Sequence, residues 1–188
     1  MFIQTEATPN PATLKFLPGV KVVPAGSVDF RTAEEAQGSP LAQRLFAIGG
    51  VSEVFLGDDF ISVTKGDGEW HHLKPMILGA IMEHFTAGLP VLEDAALADG
   101  GAAEAPVFDA ADKEVVDQIA ELLDTRVRPA VAQDGGDIVF RGFEQGVVYL
   151  HMRGACAGCP SSSMTLKNGI ERLLRHFVPE VAEVRQVM

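Results

Sequence analysis

The feature that most constrains this chain is a 22-residue stretch, 91–112, that is unsuited to building a core. Its sequence, VLEDAALADGGAAEAPVFDAAD, holds eight Ala, six acidic residues, two Gly, one Pro and no basic residue. So little apolar surface cannot offset the entropy of ordering the chain, and the stretch reads as an acidic linker. As a coil it would span about 26 Å r.m.s., enough for its neighbours to move independently. The 188 residues therefore divide into two small domains, 1–90 and 113–188. A hydrophobic share of 47% excludes global disorder. A net charge of −11 argues against bulk nucleic-acid binding, which needs basic patches. The longest apolar run, 76–82, falls far short of the roughly 20 residues of a membrane span.

Residues 1–90 read as mixed α and β. Strands are expected at 2–8 and Thr13–Leu17, around the breaker Pro9-Asn10-Pro11, with 20–23 as an extension. Thr32 and Glu35 have capping-box spacing for one helical turn. Ser39-Pro40 is an N-cap with Pro at the first helical position, and Leu41, Leu45 and Ile48 line one face. Val51–Leu56 and 60–64 flank Gly57-Asp58-Asp59 as a hairpin. Leu73, Ile77, Ala80, Ile81 and His84 share a second helical face, on which Pro75 fits only near the first turn. Phe16, Phe46, Phe55, Phe60 and Phe85 are the expected core, with Trp70 at its edge.

Residues 113–188 give the order helix, hairpin, loop, helix, strand. Asp109 or Asp112 caps a helix with Val115, Val116, Ile119, Leu122, Leu123 and Val127 inward, ending near Pro129-Ala130. Asp134-Gly135-Gly136-Asp137 reads as a helix stop and strand entry rather than a metal loop. Strands follow at 138–143 and 147–152. A loop at 154–160 leads to a helix with Leu166, Ile170, Leu173, Leu174 and Phe177 on one face, and 181–187 forms a last strand. The fold class is α+β, each domain a short sheet with helices packed on it.

Cys156 and Cys159 are the chain's two cysteines, too few for a disulfide scaffold. The start, MFIQTE, has no basic or apolar targeting pattern, which gives a cytoplasmic reading. Pro160 suits the first helical position and makes Cys159 the N-cap. The N–H groups of Ser161 and Ser162 and the positive end of the helix then favour thiolate over thiol. Zinc takes four ligands and an iron–sulfur cluster takes four thiolates. One chain offers two. Either the pair acts alone as a dithiol/disulfide, or two chains around a two-fold axis each supply a pair, to a cluster or to zinc. On spacing alone these readings stay open. His71 and His72 read as solvated, His84 as a core histidine and His151 as a non-ligand. Met164 reads as core or dimer interface, and Arg126, Arg128 and Arg153 as docking or solvated groups.

The strings RVRPAVAQDGGDIVF and VVYLHMRGACAGCPSSSMTLKNGIERLLR resemble the C-terminal domain of the NifU-like (Nfu) family. TEATPNPATLKFLPG, SPLAQRLFAIGGVSEVFLGDDFISVTK and the tract 70–88 resemble its N-terminal domain. The resemblance implies an iron–sulfur scaffold or carrier, not an enzyme. It implies that Cys156 and Cys159 hold a [4Fe–4S] cluster, one per homodimer, through the C-terminal domain, with [2Fe–2S] as an alternative form. The implied partners are apo iron–sulfur proteins and the cluster-assembly machinery, met through an N-terminal recognition domain that binds no cluster. Neither nucleic acid nor a membrane is implied. The family comparison adds a bacterial-type, cytoplasmic protein without presequence. A CxxC thiol–disulfide oxidoreductase and a zinc-bridged interaction module are the alternatives.

Overall fold

The computed structural model describes residues 1–94, 105–157 and 160–188, which divide into two compact units. In the first unit, β1 (Gln4–Ala7), β2 (Thr13–Leu17), β3 (Val28–Phe30), β4 (Val51–Leu56) and β5 (Ile61–Lys65) form an antiparallel sheet in the order β1-β2-β5-β4-β3. Strand alternation puts Phe16 opposite Ile61 and Val54 opposite Val63. That face packs on α1 (Pro40–Phe46) and α2 (Trp70–Thr86) through Leu41, Leu45, Ile77 and Ile81, all fully buried. Ser39 caps α1 as its spacing predicts, accepting from the Ala42 N–H at 3.1 Å. The Glu35 N–H meets Thr32 Oγ1 at 3.3 Å ahead of a 3-10 turn, but the Glu35 carboxylate reaches back to the Arg31 N–H instead of that of Thr32.

Several expectations change. Residues 20–23 form no strand; Val22 and Val23 are buried and donate to the Asp58 carbonyl, and the strand lies later, at β3. Pro75 falls in the second turn of α2, withholding one N–H from its ladder. Phe55 and Phe60 are buried as expected, but on the opposite sheet face, rings 5.8 Å apart, with the Lys15 ammonium 4.7 Å from the Phe60 centroid. Phe46 and Phe85 are half-buried at the edge of the main core. Trp70 sits at that edge too, its indole N–H donating to the Pro11 carbonyl at 3.1 Å.

The ends of the 91–112 stretch are structured. His84 Nε2 lies 3.0 Å from the Pro90 carbonyl, Ser39 Oγ donates to the Val91 carbonyl at 2.6 Å, and the Glu93 N–H donates to Gly38. Leu92 is buried in the first core. At the other end β6 (Val107–Phe108) joins the second sheet, and Asp109 caps a 3-10 turn at Ala110–Asp112. An apolar anchor and a few hydrogen bonds tie down what composition alone reads as linker. Residues 95–104 of that stretch lie outside the described residues.

The second unit's sheet runs β6-β7-β8-β9, with β7 (Gly136–Glu144), β8 (Val147–Gly154) and β9 (Glu183–Val187). β7 and β8 form an antiparallel hairpin, flanked by β6 parallel to β7 and β9 parallel to β8. The hairpin turn has φ 48° at Gln145 and 81° at Gly146, the doubly left-handed geometry that matches strand twist. α3 (Lys113–Leu122), a π turn (Leu123–Val127), α4 (Arg128–Gln133) and α5 (Pro160–Phe177) complete the unit. Val116, Ile119, Val131, Leu150, Met152, Ile170 and Leu174 meet in one core.

The helix expected to stop near Pro129 runs on to Gln133. In the wider turn the Arg128 N–H bonds Leu123 O, and Pro129 enters at the start of α4, where no N–H is needed. Phe177 is not core; it is 45% exposed, under the Arg126 guanidinium at 4.8 Å. Among the described residues, no helix is long and apolar enough to cross a membrane. Two sheets, each with helices packed on it, make the α+β architecture that the sequence predicts.

Candidate functional site

Cys156 lies in the turn that follows β8, just before α5. Three hydrogen bonds fix this turn. The Ala155 N–H donates to Gly135 O at 3.2 Å, the Ala157 N–H to Gly154 O at 3.1 Å, and the Ser163 hydroxyl to Cys156 O at 2.9 Å. The last bond closes the first turn of α5 back onto the loop across seven residues. The sulfur packs over the first residue of β7: a Cβ on Gly136 would lie 2.7 Å from Cys156 Sγ and 2.7 Å from Arg153 O. Cys156 is a free thiol, 7% exposed, and counts among the core residues of the second unit. Cys159, expected as the helix cap, lies outside the described residues.

At Cys156 the electrostatics favour the thiol, whereas the thiolate reading of the sequence concerns Cys159. Burial foremost, then the carboxylates of Asp134 and Asp137, pushes the Cys156 thiol up to about 12. Beside the sulfur, Asp137 is buried and held by Arg128 in a two-pronged pair, Nε to Oδ1 and a terminal nitrogen to Oδ2, both at 2.9 Å. Arg128 also reaches Asp124 Oδ1 at 3.2 Å, and two carboxylates together raise the guanidinium's already high pKa. Among the described residues, no group of three or more His, Cys, Asp or Glu could hold a metal ion. Of the chain's two cysteine sulfurs, the described residues include that of Cys156.

Of the other residues singled out in the sequence, Arg128 lies at this site. His151 stands on β8 paired with Val139 and Val187, on the face opposite Leu150 and Met152. His84 is a core histidine of the first unit. His71 and His72 are exposed, as expected, with their rings 3.9 Å apart. Met164 is 66% exposed and so is not core within this chain. At the far end of the β7–β8 hairpin a groove of about 620 Å³ is lined by Phe108, Arg141, Tyr149 and Val187. Sequence reasoning missed the roles of Gly136, Arg128, Asp137 and Ser163. The Asp-Gly-Gly-Asp string marked the place, but as a turn alone.

Residues 3–88 match the family described as scaffold protein Nfu/NifU N terminal, and residues 119–185 match the NifU-like domain. The chain is similar to the human protein named NFU1 iron-sulfur cluster scaffold homolog, mitochondrial, at 51% identity, covering all of this chain and 72% of the human one. It is also similar to NifU-like protein 4, mitochondrial, of Arabidopsis thaliana, at 51% identity over 99% of this chain and 66% of that one. A solution NMR structure of a NifU-like protein from Saccharomyces cerevisiae shares 29% identity, covers 50% of this chain and 86% of its own, and superposes with a TM-score of 0.45. The relatives' names correct one expectation: human and Arabidopsis proteins alike are called mitochondrial, which points away from a bacterial-type, cytoplasmic assignment without presequence. With both matched regions in order along the chain and half its residues identical to the human protein, the chain belongs to the Nfu/NifU-like scaffold family.

Proposed function

We propose that this protein is an iron–sulfur cluster scaffold and carrier, not an enzyme, whose cargo is a [4Fe–4S] cluster held between two copies of the chain by Cys156 and Cys159 of each. The observation that carries the reading is ligand arithmetic. The chain has two cysteines, and among the described residues no further ligand set supplements them. A four-thiolate site is complete only when two chains meet at their cysteine loops, around a two-fold axis. The relatives named as iron–sulfur cluster scaffolds support the same class.

Loading is proton-coupled. Cys156 rests as a thiol, so on binding it gives up its proton as the sulfur takes the metal, and Cys159 does likewise if protonated. Delivery to an apo-protein is stepwise ligand exchange: an acceptor thiolate joins an iron, one of the chain's sulfurs leaves and regains a proton, and the exchange repeats. The first unit serves recognition of acceptors or of the assembly machinery. A thiol–disulfide oxidoreductase would have to draw its attacking thiolate from Cys159, because burial and the carboxylates of Asp134 and Asp137 disfavour the thiolate at Cys156.

Anaerobic reconstitution with iron and sulfide, followed by size-exclusion chromatography and metal analysis, tests the proposal. The expected product is a brown dimer with about four irons per two chains. Cys156→Ala and Cys159→Ala should each abolish the colour and the cluster-linked dimer. A colourless zinc dimer, a complete cluster on a monomer, or full reconstitution of Cys156→Ala overturns it.

A further inference from the structure

The geometry points to Gly136, kept in place by the Arg128–Asp137 ion pair, as the positioning residue that sets where the Cys156 sulfur stands when it meets its cargo; this rests on the cluster reading above. Glycine is a poor choice for opening a strand, because it adds chain entropy and offers no side chain to pack. Gly136 does not take a left-handed φ, unlike its neighbour Gly135. The demand for glycine here is therefore steric. A Cβ would sit 2.7 Å from Cys156 Sγ and 3.2 Å from the Cys156 nitrogen, with the Arg153 carbonyl oxygen 2.7 Å away as the remaining wall. The bare backbone of residue 136 is the floor on which the sulfur lies.

That floor is fixed from the helical side. Asp137, next in sequence, is buried and bound at both oxygens by Arg128 at the head of α4, with Oδ1 also accepting the Ile138 N–H at 2.8 Å. A planar guanidinium gripping a carboxylate at two points resists both sliding and rotation. The start of β7 is thus pinned to the helices while its backbone pairs with Gly154, two residues before the cysteine. Metal–sulfur bonds tolerate only about ±0.2 Å. In a site shared across a two-fold axis, a shift at one floor is repeated in the partner and misplaces two of the four ligands together.

The test uses the full chain and two variants, Gly136→Ala and Asp137→Asn, each checked for wild-type far-UV circular dichroism. In metal-free protein, iodoacetamide labelling is followed by peptide mass spectrometry at residue 156. After anaerobic reconstitution, visible circular dichroism and the half-life of the cluster against a chelator are recorded. Gly136→Ala is expected to speed labelling of Cys156 and loss of the cluster by about tenfold each, with an altered visible spectrum. Asp137→Asn also removes a charge that disfavours the Cys156 thiolate, so it is read on the cluster alone, whose half-life should fall about threefold with an altered visible spectrum. A folded Gly136→Ala protein with unchanged labelling and cluster lifetime overturns the role of Gly136. An unchanged Asp137→Asn overturns the role of the ion pair, and decides the inference if Gly136→Ala does not fold. Should the wild-type chain take up no cluster, the functional reading fails, while labelling at residue 156 still decides whether Gly136 seats the sulfur.

Discussion

His84 makes the stability of the first unit depend on pH in a direction fixed by its surroundings. The side chain is fully buried, and its Nε2 lies 3.0 Å from the Pro90 carbonyl oxygen. A carbonyl only accepts, so Nε2 carries the hydrogen and Nδ1 is bare, and Nδ1 has no hydrogen-bond partner among the described residues. A second proton would place a charge in the core. Burial foremost, with Arg44 adding to it against the pull of the Pro90 and Leu89 backbone, holds the imidazole below its ordinary 6.5. Between the folded and unfolded pKa values the unfolded chain binds more protons, so stability is full above pH 6.5 and falls as pH drops below it. One proton limits the loss between pH 7.5 and 5.5 to about 1.4 kcal/mol, tenfold in the folding constant. Trp70, the chain's single tryptophan, sits in the first unit and reports its urea unfolding by fluorescence. His84→Gln keeps a donor for Pro90 and removes the titration, while the neighbouring Arg44–Glu83 pair, 3.0 Å apart, is common to both proteins. Wild type should lose about 1 kcal/mol more than the variant over this range. Parallel pH profiles for the two proteins would refute the reasoning.

Two further outcomes follow from local geometry. Ser39→Ala removes both the cap on the Ala42 N–H and the bond to the Val91 carbonyl, so it should cost about 2–3 kcal/mol in urea unfolding and speed amide exchange at Glu93. Gln145→Gly relieves a left-handed non-glycine residue in the β7–β8 turn and should raise the second unit's stability by about 0.5–1 kcal/mol, read by differential scanning calorimetry.

What the sequence disclosed depended on how local the cause was. Ser39-Pro40 and the alternation in Thr13–Leu17 act within one turn or one strand, and both stand where they were expected. Pro129 misled because proline forbids an ordinary helical N–H bond; that a π turn could carry the helix past it depends on Leu123 and Val127 both reaching the core. β3 and β6, at three and two residues, are too short to show alternation, and pairing alone makes them strands. The cysteine spacing singled out the candidate loop, but the state of Cys156 did not follow from it. Its burial and the two carboxylates beside it come from β7 and the segment before it, elements distant in sequence. The Arg128–Asp137 grip spans nine residues and joins a helix to a strand, beyond the reach of any periodicity.

The parallel pairing of Val107 and Phe108 with Gly142 and Phe143 bears on how the protein can be cut apart. Those two residues shield the outer rim of β7, and the fit is close enough that a Cβ at 142 would sit 2.5 Å from the Val107 oxygen. A truncation beginning at Lys113, where composition suggests the second half starts, strips off that shield and leaves a rim of unsatisfied amides ready to recruit strands from other molecules. Dissection that begins by residue 105 keeps the rim covered, so insolubility of a shorter fragment would report the missing guard rather than an inability of that half to fold.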